Sequence, residues 1–210
     1  MKSRILLVTL FLMGSAAPAD SSQPDGDVGR RLGDGEIVLL DFDTDQAGGS
    51  SRVQALVQAP ARSVWEVITS CEQTFIFVDG LKQCEVLDDS GDRAVVHQVV
   101  KRGWLVPTQD FVFESLREPY QGIRFKLIEG NLKAMEGRWQ FMETPEGLLV
   151  DYAIRIRPGL PVPGFIVSWV MRKGMPDIIA CIRGLADGSG SLDRRQNDLD
   201  RCRGEARPDP

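Results

Sequence analysis

The chain holds one histidine, His97, and it is the first residue to test for proton-transfer chemistry. A general base needs an orienting partner and a substrate atom within reach. His97 instead lies among Val95, Val96, Val99 and Val100, where an ordinary strand histidine is the simpler reading. Serine and aspartate are plentiful, yet no G-x-S-x-G elbow raises a serine into an exposed position. Asp110, Glu114 and Glu118 share one face if they lie on a strand, alternating with Phe111 and Phe113. That arrangement gives a solvated face rather than a paired acid and base. A single imidazole and oxidisable thiols form no zinc pattern, and no glycine-rich phosphate cradle is present. No catalytic residue, metal or cofactor is assigned.

The apolar side chains carry more. Phe111, Phe113, Phe125, Trp139, Phe141 and Tyr152 fall at alternating positions that place them on one face of a sheet. Each fits a packed core taken singly; together they suit an apolar ligand, whose pockets are mostly hydrophobic with a few polar groups fixing orientation. Tyr152 offers such a group, because a buried phenol needs a partner for its hydroxyl. Trp169 joins the set from a following helical segment. Two loops expose further apolar residues: Trp104-Leu105-Val106-Pro107, and Leu160 through Phe165. They are either hydrophobic plugs or a gate, formed by Trp104, Leu160 and Phe165, that makes transient membrane contact during loading. Lys101 and Arg102 beside Trp104 favour an anionic surface. Arg155 and Arg157 oppose the Tyr152 face and read as surface residues.

These side chains need elements to hold them. Residues 36–42 and 53–57 read as strands, and Pro60 stands where a helix over 61–69 begins. A second short helix over 72–78 ends before Gly80. From Leu81 the period changes to two, giving strands over 84–89 and 93–102, then 107–117, 123–127, 138–142 and 148–157. The last alternates most cleanly: Val150, Tyr152, Ile154 and Ile156 on one face, Asp151, Ala153, Arg155 and Arg157 on a wet one. A helical pattern follows from Phe165 to about Ala186, and Pro176 inside it predicts a kink or break. Strands, short helices, an antiparallel run and a terminal helix make an α+β domain with that helix laid across the sheet.

Composition bounds the rest. With 25 basic and 30 acidic residues, the net charge of −5 argues against nucleic acid as a partner. Lys2 and Arg4 precede an apolar run over 5–13, and Ala17-Pro18-Ala19 completes a signal-peptide pattern cleaved before Asp20. This nine-residue stretch is far short of the roughly 20 apolar residues a membrane span needs. The expected organisation is a signal peptide (1–19), a flexible leader (20–35), a folded domain (36–187) and a polar tail (188–210), in a periplasmic or secreted protein. In such a compartment four cysteines suggest two bridges, with three possible connectivities. Nearness in sequence favours Cys71–Cys84 and Cys181–Cys202; the alternative leaves Cys181 reduced in a helix core and Cys202 free. A bridge closing about 15 residues stabilises by roughly 3 kcal/mol.

Several short segments then resemble one family in order. VQALVQAPARSVWEVIT, FVDGLKQCEVL, GNLKAMEGRWQF, LLVDYAIRIRPGLPVPGFI and RKGMPDIIACIRGLA are similar to the START-like (helix-grip, SRPBCC) superfamily, in its polyketide cyclase and coenzyme Q-binding branch. The resemblance covers residues 53–186. It implies a curved antiparallel sheet gripping a long C-terminal helix, with two short helices after the first strands. It also implies a cavity between sheet and helix for lipids, isoprenoids or polyketides. Some relatives are enzymes and many only bind and carry; no catalytic residue transfers. Pro176 departs from the usual unbroken helix.

The leading expectation is an exported carrier of a hydrophobic small molecule (lipid, quinone-like isoprenoid or sterol-like compound). The first rival is a cyclase or dehydratase acting on a polyketide-like substrate, with Tyr152 or His97 moving the proton. The second is an envelope module that binds a protein. Oligomeric state and ligand identity are not legible.

Overall fold

A computed structural model describes residues 26–45, 48–104, 106–187 and 192–202. The expected signal peptide and Leu105 lie outside them. Helix α1 (Gly26–Gly33) precedes strands β1 (Val38–Asp45) and β2 (Gly48–Val57), then helices α2 (Ala61–Thr69) and α3 (Cys71–Phe77). Six strands follow: β3 (Leu81–Asp89), β4 (Arg93–Val100), β5 (Gln109–Glu118), β6 (Gly122–Gly130), β7 (Leu132–Thr144) and β8 (Gly147–Pro158). The chain closes with α4 (Gly164–Trp169), a π-helical turn (Val170–Gly174), α5 (Met175–Ala186) and α6 (Leu192–Cys202).

All eight strands form one antiparallel sheet in the order β1-β2-β8-β7-β6-β5-β4-β3. The run β3 to β8 is a meander, and the β1–β2 hairpin adds to it through β2 against β8. Period-two alternation gives the sheet an inner face, which packs with α5, Met171 and Met175 around Val53, Ala55, Val64, Val150 and Tyr152. Pro60 caps α2 in extended conformation, where its missing N–H costs nothing. Ser70 ends α2 and starts α3, its Oγ accepting from the Gln73 N–H at 3.3 Å in the manner of an N-cap. The structure is thus α+β with the START-like helix-grip arrangement.

The terminal helix does not break at Pro176. The turn over Val170–Gly174 widens instead, the Met175 N–H donating to the Val170 carbonyl, and Pro176 falls in the first turn of α5. Proline lacks the N–H and crowds the carbonyl four residues back; a wider turn relieves both. Such π turns concentrate at functional sites, and Val170 and Met171 of this one face the cavity described below.

The expected flexible leader and the expected polar tail are both partly folded. In the leader, α1 buries Leu32 against Val38 and Leu149 on the outer face of the sheet. The face of β8 read as wet also holds a fully buried acid. Asp151 accepts from Arg52 Nε and Nη2 at 3.0 and 2.5 Å, and from Gln54 Nε2 at 2.6 Å. In the tail, α6 packs on α5. Disulfides join Cys71 to Cys84 and Cys181 to Cys202, the pairing that nearness in sequence favoured. The first ties α3 to β3 and the second ties α6 to α5.

Candidate functional site

Between the inner face of the sheet and the α4–α5 helix lies a cavity of about 230 Å³. Its wall is an unbroken line of rings. Trp139 and Tyr152 face each other across the β7–β8 ladder and stack with centroids 3.9 Å apart. Phe125 of β6 lies 6.4 Å from Tyr152, Phe113 of β5 lies 6.2 Å from Phe125 edge-on, and Phe111 lies 6.2 Å from Phe113. The separations of 6.2 to 6.4 Å fall in the range favoured for aromatic pairs. Gly137 makes room for this line: it pairs with Phe125 across β6–β7, and a Cβ there would collide with the Phe125 ring. Met171, Met175 and Ile178 close the other side.

Five of the seven expected lining residues therefore line the cavity: Phe111, Phe113, Phe125, Trp139 and Tyr152. Two do not. Phe141 is packed inside the main core, one pleat beyond the cavity. Trp169 is 51% exposed; it stands two residues past the buried Val167, about 200° around the helix, and so points away.

The mouth is built from the β4–β5 and β8–α4 loops. Pro107, Thr108, Leu160 and Val162 border one shallow depression, so the two segments expected to form a gate lie side by side. Trp104 is 89% exposed, Phe165 70% and Leu160 58%, while Val106, Val162 and Ile166 turn into the cavity. The apolar tips therefore face solvent and their neighbours line the interior.

Arg102 corrects the sequence reading. Expected on the surface beside Trp104, its side chain instead enters the cavity. A backbone clasp puts it there. The Lys101 N–H donates to the Gly80 carbonyl at 2.8 Å, and Gly80 takes φ +75° with a Cβ position only 2.5 Å from the Lys101 oxygen. Only glycine fits that left-handed, crowded turn. Arg102 Nε then donates to the Asp79 carbonyl at 3.0 Å. Burial pulls its pKa down, opposed by the charge of Asp79 and by Tyr152. Burial likewise raises the Tyr152 phenol well above its ordinary value, with the Arg102 charge working against it. Tyr152 is thus a neutral hydrogen-bond donor at any physiological pH, and its hydroxyl has no hydrogen-bond partner among the described residues. Gln98, Gln109 and Ser115 add neutral polar groups. Among the described residues no carboxylate, imidazole or thiol lines the cavity.

Gln98 and Ser115 were visible in the sequence as polar residues breaking the inward faces of β4 and β5; Arg102 was not, because alternation stops where β4 ends. His97 sits on the outer face. Its Nε2 lies 2.8 Å from Asp110 Oδ1 and its Nδ1 3.4 Å from Gln83 Nε2, so both ring nitrogens are engaged away from the cavity.

A family model described as "Polyketide cyclase / dehydrase and lipid transport" matches residues 57–183, more than half of the chain. No curated protein sequence matches. Among solved structures, the chain is similar to the STAR-related lipid transfer protein (fragment 25–204) from Xanthomonas axonopodis, with TM-score 0.56 and 14% identity over 78% of this chain and 98% of that one. It is similar to TTHA0849 from Thermus thermophilus, with TM-score 0.51 and 18% identity over 75% and 99%. It is also similar to the di-domain ARO/CYC StfQ from the steffimycin biosynthetic pathway, with TM-score 0.53 and 9% identity over 65% of this chain and half (50%) of that one. At these identities the likeness is one of fold.

Proposed function

The chain belongs to the polyketide cyclase / dehydrase and lipid transport family, and we propose that it is an exported protein that binds and carries a hydrophobic small molecule in the cavity between sheet and terminal helix. One observation carries the reading: a wall of five aromatic rings encloses space that, among the described residues, no carboxylate, imidazole or thiol enters. General acid–base catalysis works best with a group whose pKa lies near neutrality, and Tyr152, held neutral by burial, is poorly suited to act as the base. Carriage needs only apolar walls and an opening. Export is supported by the signal-peptide pattern at the N-terminus and by two disulfides, which persist in oxidising compartments. The apolar tips of Trp104, Leu160 and Phe165 beside the mouth suit transient contact with a membrane during loading.

The rival reading, a cyclase acting on a polyketide-like substrate, draws on the partnerless Tyr152 hydroxyl and on the fold shared with StfQ. It assigns Tyr152 the role of proton donor, and His97 drops out because it lies outside the cavity. Native mass spectrometry of the full chain, purified from an exporting host, distinguishes the two. Carriage predicts near-stoichiometric adduct of an extractable apolar compound, recovered chemically unchanged. Conversion of a bound polyketide-like compound, abolished in Tyr152→Phe with binding intact, overturns it.

A further inference from the structure

Arg102 is the only charged side chain that lines the cavity among the described residues, and no acid lines it in return. Its Nε is spent on the Asp79 carbonyl. The two terminal nitrogens make no hydrogen bond or ion pair among the described residues. They lie beside the π-helical turn, where Nη1 would be 4.0 Å from a Cβ at Gly174. The side chain is half-buried, and the exposed Asp79 carboxylate offsets its charge without forming an ion pair; the planar fork of a guanidinium matches a carboxylate or phosphate with two parallel bonds. The clasp at Gly80 and the bond to Asp79 hold this fork in place before any ligand arrives, which reduces the ordering cost of binding.

We propose that the cavity selects an amphiphile with a single anionic head, carboxylate or phosphate, held by the free edge of the Arg102 guanidinium at the mouth while its apolar chain lies along the rings from Phe111 to Trp139. The proposal rests on the carrier reading and narrows it. Neutral sterol-like or quinone-like compounds leave the cation unpaired, and amines are repelled by it. The Tyr152 hydroxyl, partnerless and close enough to feel the Arg102 charge, serves a second oxygen of the ligand. At about 230 Å³ the space lies below the usual range for drug-sized pockets, roughly 300–1,000 Å³, and suits a small amphiphile.

Calorimetric titration of the delipidated full chain with decanoate, decyl phosphate, decanol and decylamine tests the assignment. Charge-assisted hydrogen bonds predict that the tighter of the two anions binds about tenfold or more tightly than decanol, with decylamine weakest. If decanoate leads, the natural head is a fatty-acid-type carboxylate; if decyl phosphate leads, it is a phospholipid-type head. Arg102→Met should lower anion affinity to that of decanol and leave decanol binding unchanged. Arg102→Lys should retain part of the preference, which separates loss of charge from loss of fold. Equal binding of decanol and both anions, or a preference that survives Arg102→Met, overturns the anionic head while leaving the carrier reading intact. Binding of none of the four probes overturns both.

Discussion

Two arginines, one buried and one half-buried, stand in very different company. Arg183, on the back of α5, is enclosed: its Nε and Nη2 grip Asp198 of α6 at 2.7 and 2.9 Å, and Nη1 reaches the Gly35 carbonyl at 3.0 Å. Arg102, at the cavity mouth, has a single backbone carbonyl and otherwise faces empty apolar space. The guanidinium group is the same in both, so the difference lies in what the fold supplies. At the α5–α6 junction the chain brings its own counter-charge, because the disulfide Cys181–Cys202 and the Asp198 carboxylate arrive on one helix. At the mouth it brings only the charge of Asp79, which forms no ion pair with Arg102. A satisfied buried charge holds structure together; an unsatisfied one facing a cavity is a site for something else.

The largest expected effect comes from making the first region resemble the second. Asp198→Ala strands Arg183 without a partner, and breaking one side of a buried pair costs about 3–5 kcal/mol. Urea denaturation should show that loss, while ligand affinity at the distant cavity stays within twofold. A loss below about 1 kcal/mol would mean that α6 is not part of the cooperative unit.

A second contrast separates packed core from cavity wall within one sheet. Phe141 is enclosed in the core and Phe125 borders the cavity. Phe141→Ala opens a new void and should cost about 3–5 kcal/mol. Phe125→Ala enlarges a void already present, so its cost should be about 1–2 kcal/mol by the same cavity argument. Occupancy by extractable ligand should fall sharply only in the second variant. Equal destabilisation by the two, with no change in occupancy, would favour a closed core over a ligand space.

These contrasts also mark where the sequence was readable. Alternation along β5 to β8 placed Phe111, Phe113, Phe125, Trp139 and Tyr152 on one face, because a strand has only two faces and the period is unambiguous. The helix-grip order followed from the change of period at Leu81 and the apolar helix after Pro163. Phe141 has the same parity as Trp139, so alternation alone could not tell core from cavity; that depends on how far the covering helix reaches. Helix α6 was missed because its residues are mostly polar, with Leu199 and Cys202 too few to show a helical period, and its attachment depends largely on Arg183 and Cys181 on another element. A lone arginine within the apolar stretch IIACIRGLA was the available signal, since a buried cation demands an acid. The inward turn of Arg102 was invisible for another reason. It depends on Gly80, more than twenty residues earlier, meeting Lys101 across a turn whose geometry no periodicity encodes.

The smallest effect on stability, and the sharpest on loading, belongs to the tip of the mouth. Trp104 is 89% exposed, so it contributes little to the folded state, and a surface substitution of this kind usually stays within about 0.5 kcal/mol. Its neighbours divide the work: Arg102 and Val106 face the cavity, while Trp104 projects from the same short loop into solvent, on the side where Leu160 and Phe165 are also exposed. Trp104→Asp places a carboxylate where an indole would enter the lipid boundary, and a negative charge there is repelled by anionic headgroups. Transfer of a fluorescent fatty acid from anionic vesicles should therefore slow in this variant, while binding of the same compound from detergent-free solution keeps its wild-type rate and affinity. The two assays differ only in the surface the protein must touch, so a defect confined to the vesicle arm assigns Trp104 to membrane contact. Slowing in both arms would instead make the loop part of the binding wall, and unchanged rates in both would leave Arg102 as the sole determinant at the mouth.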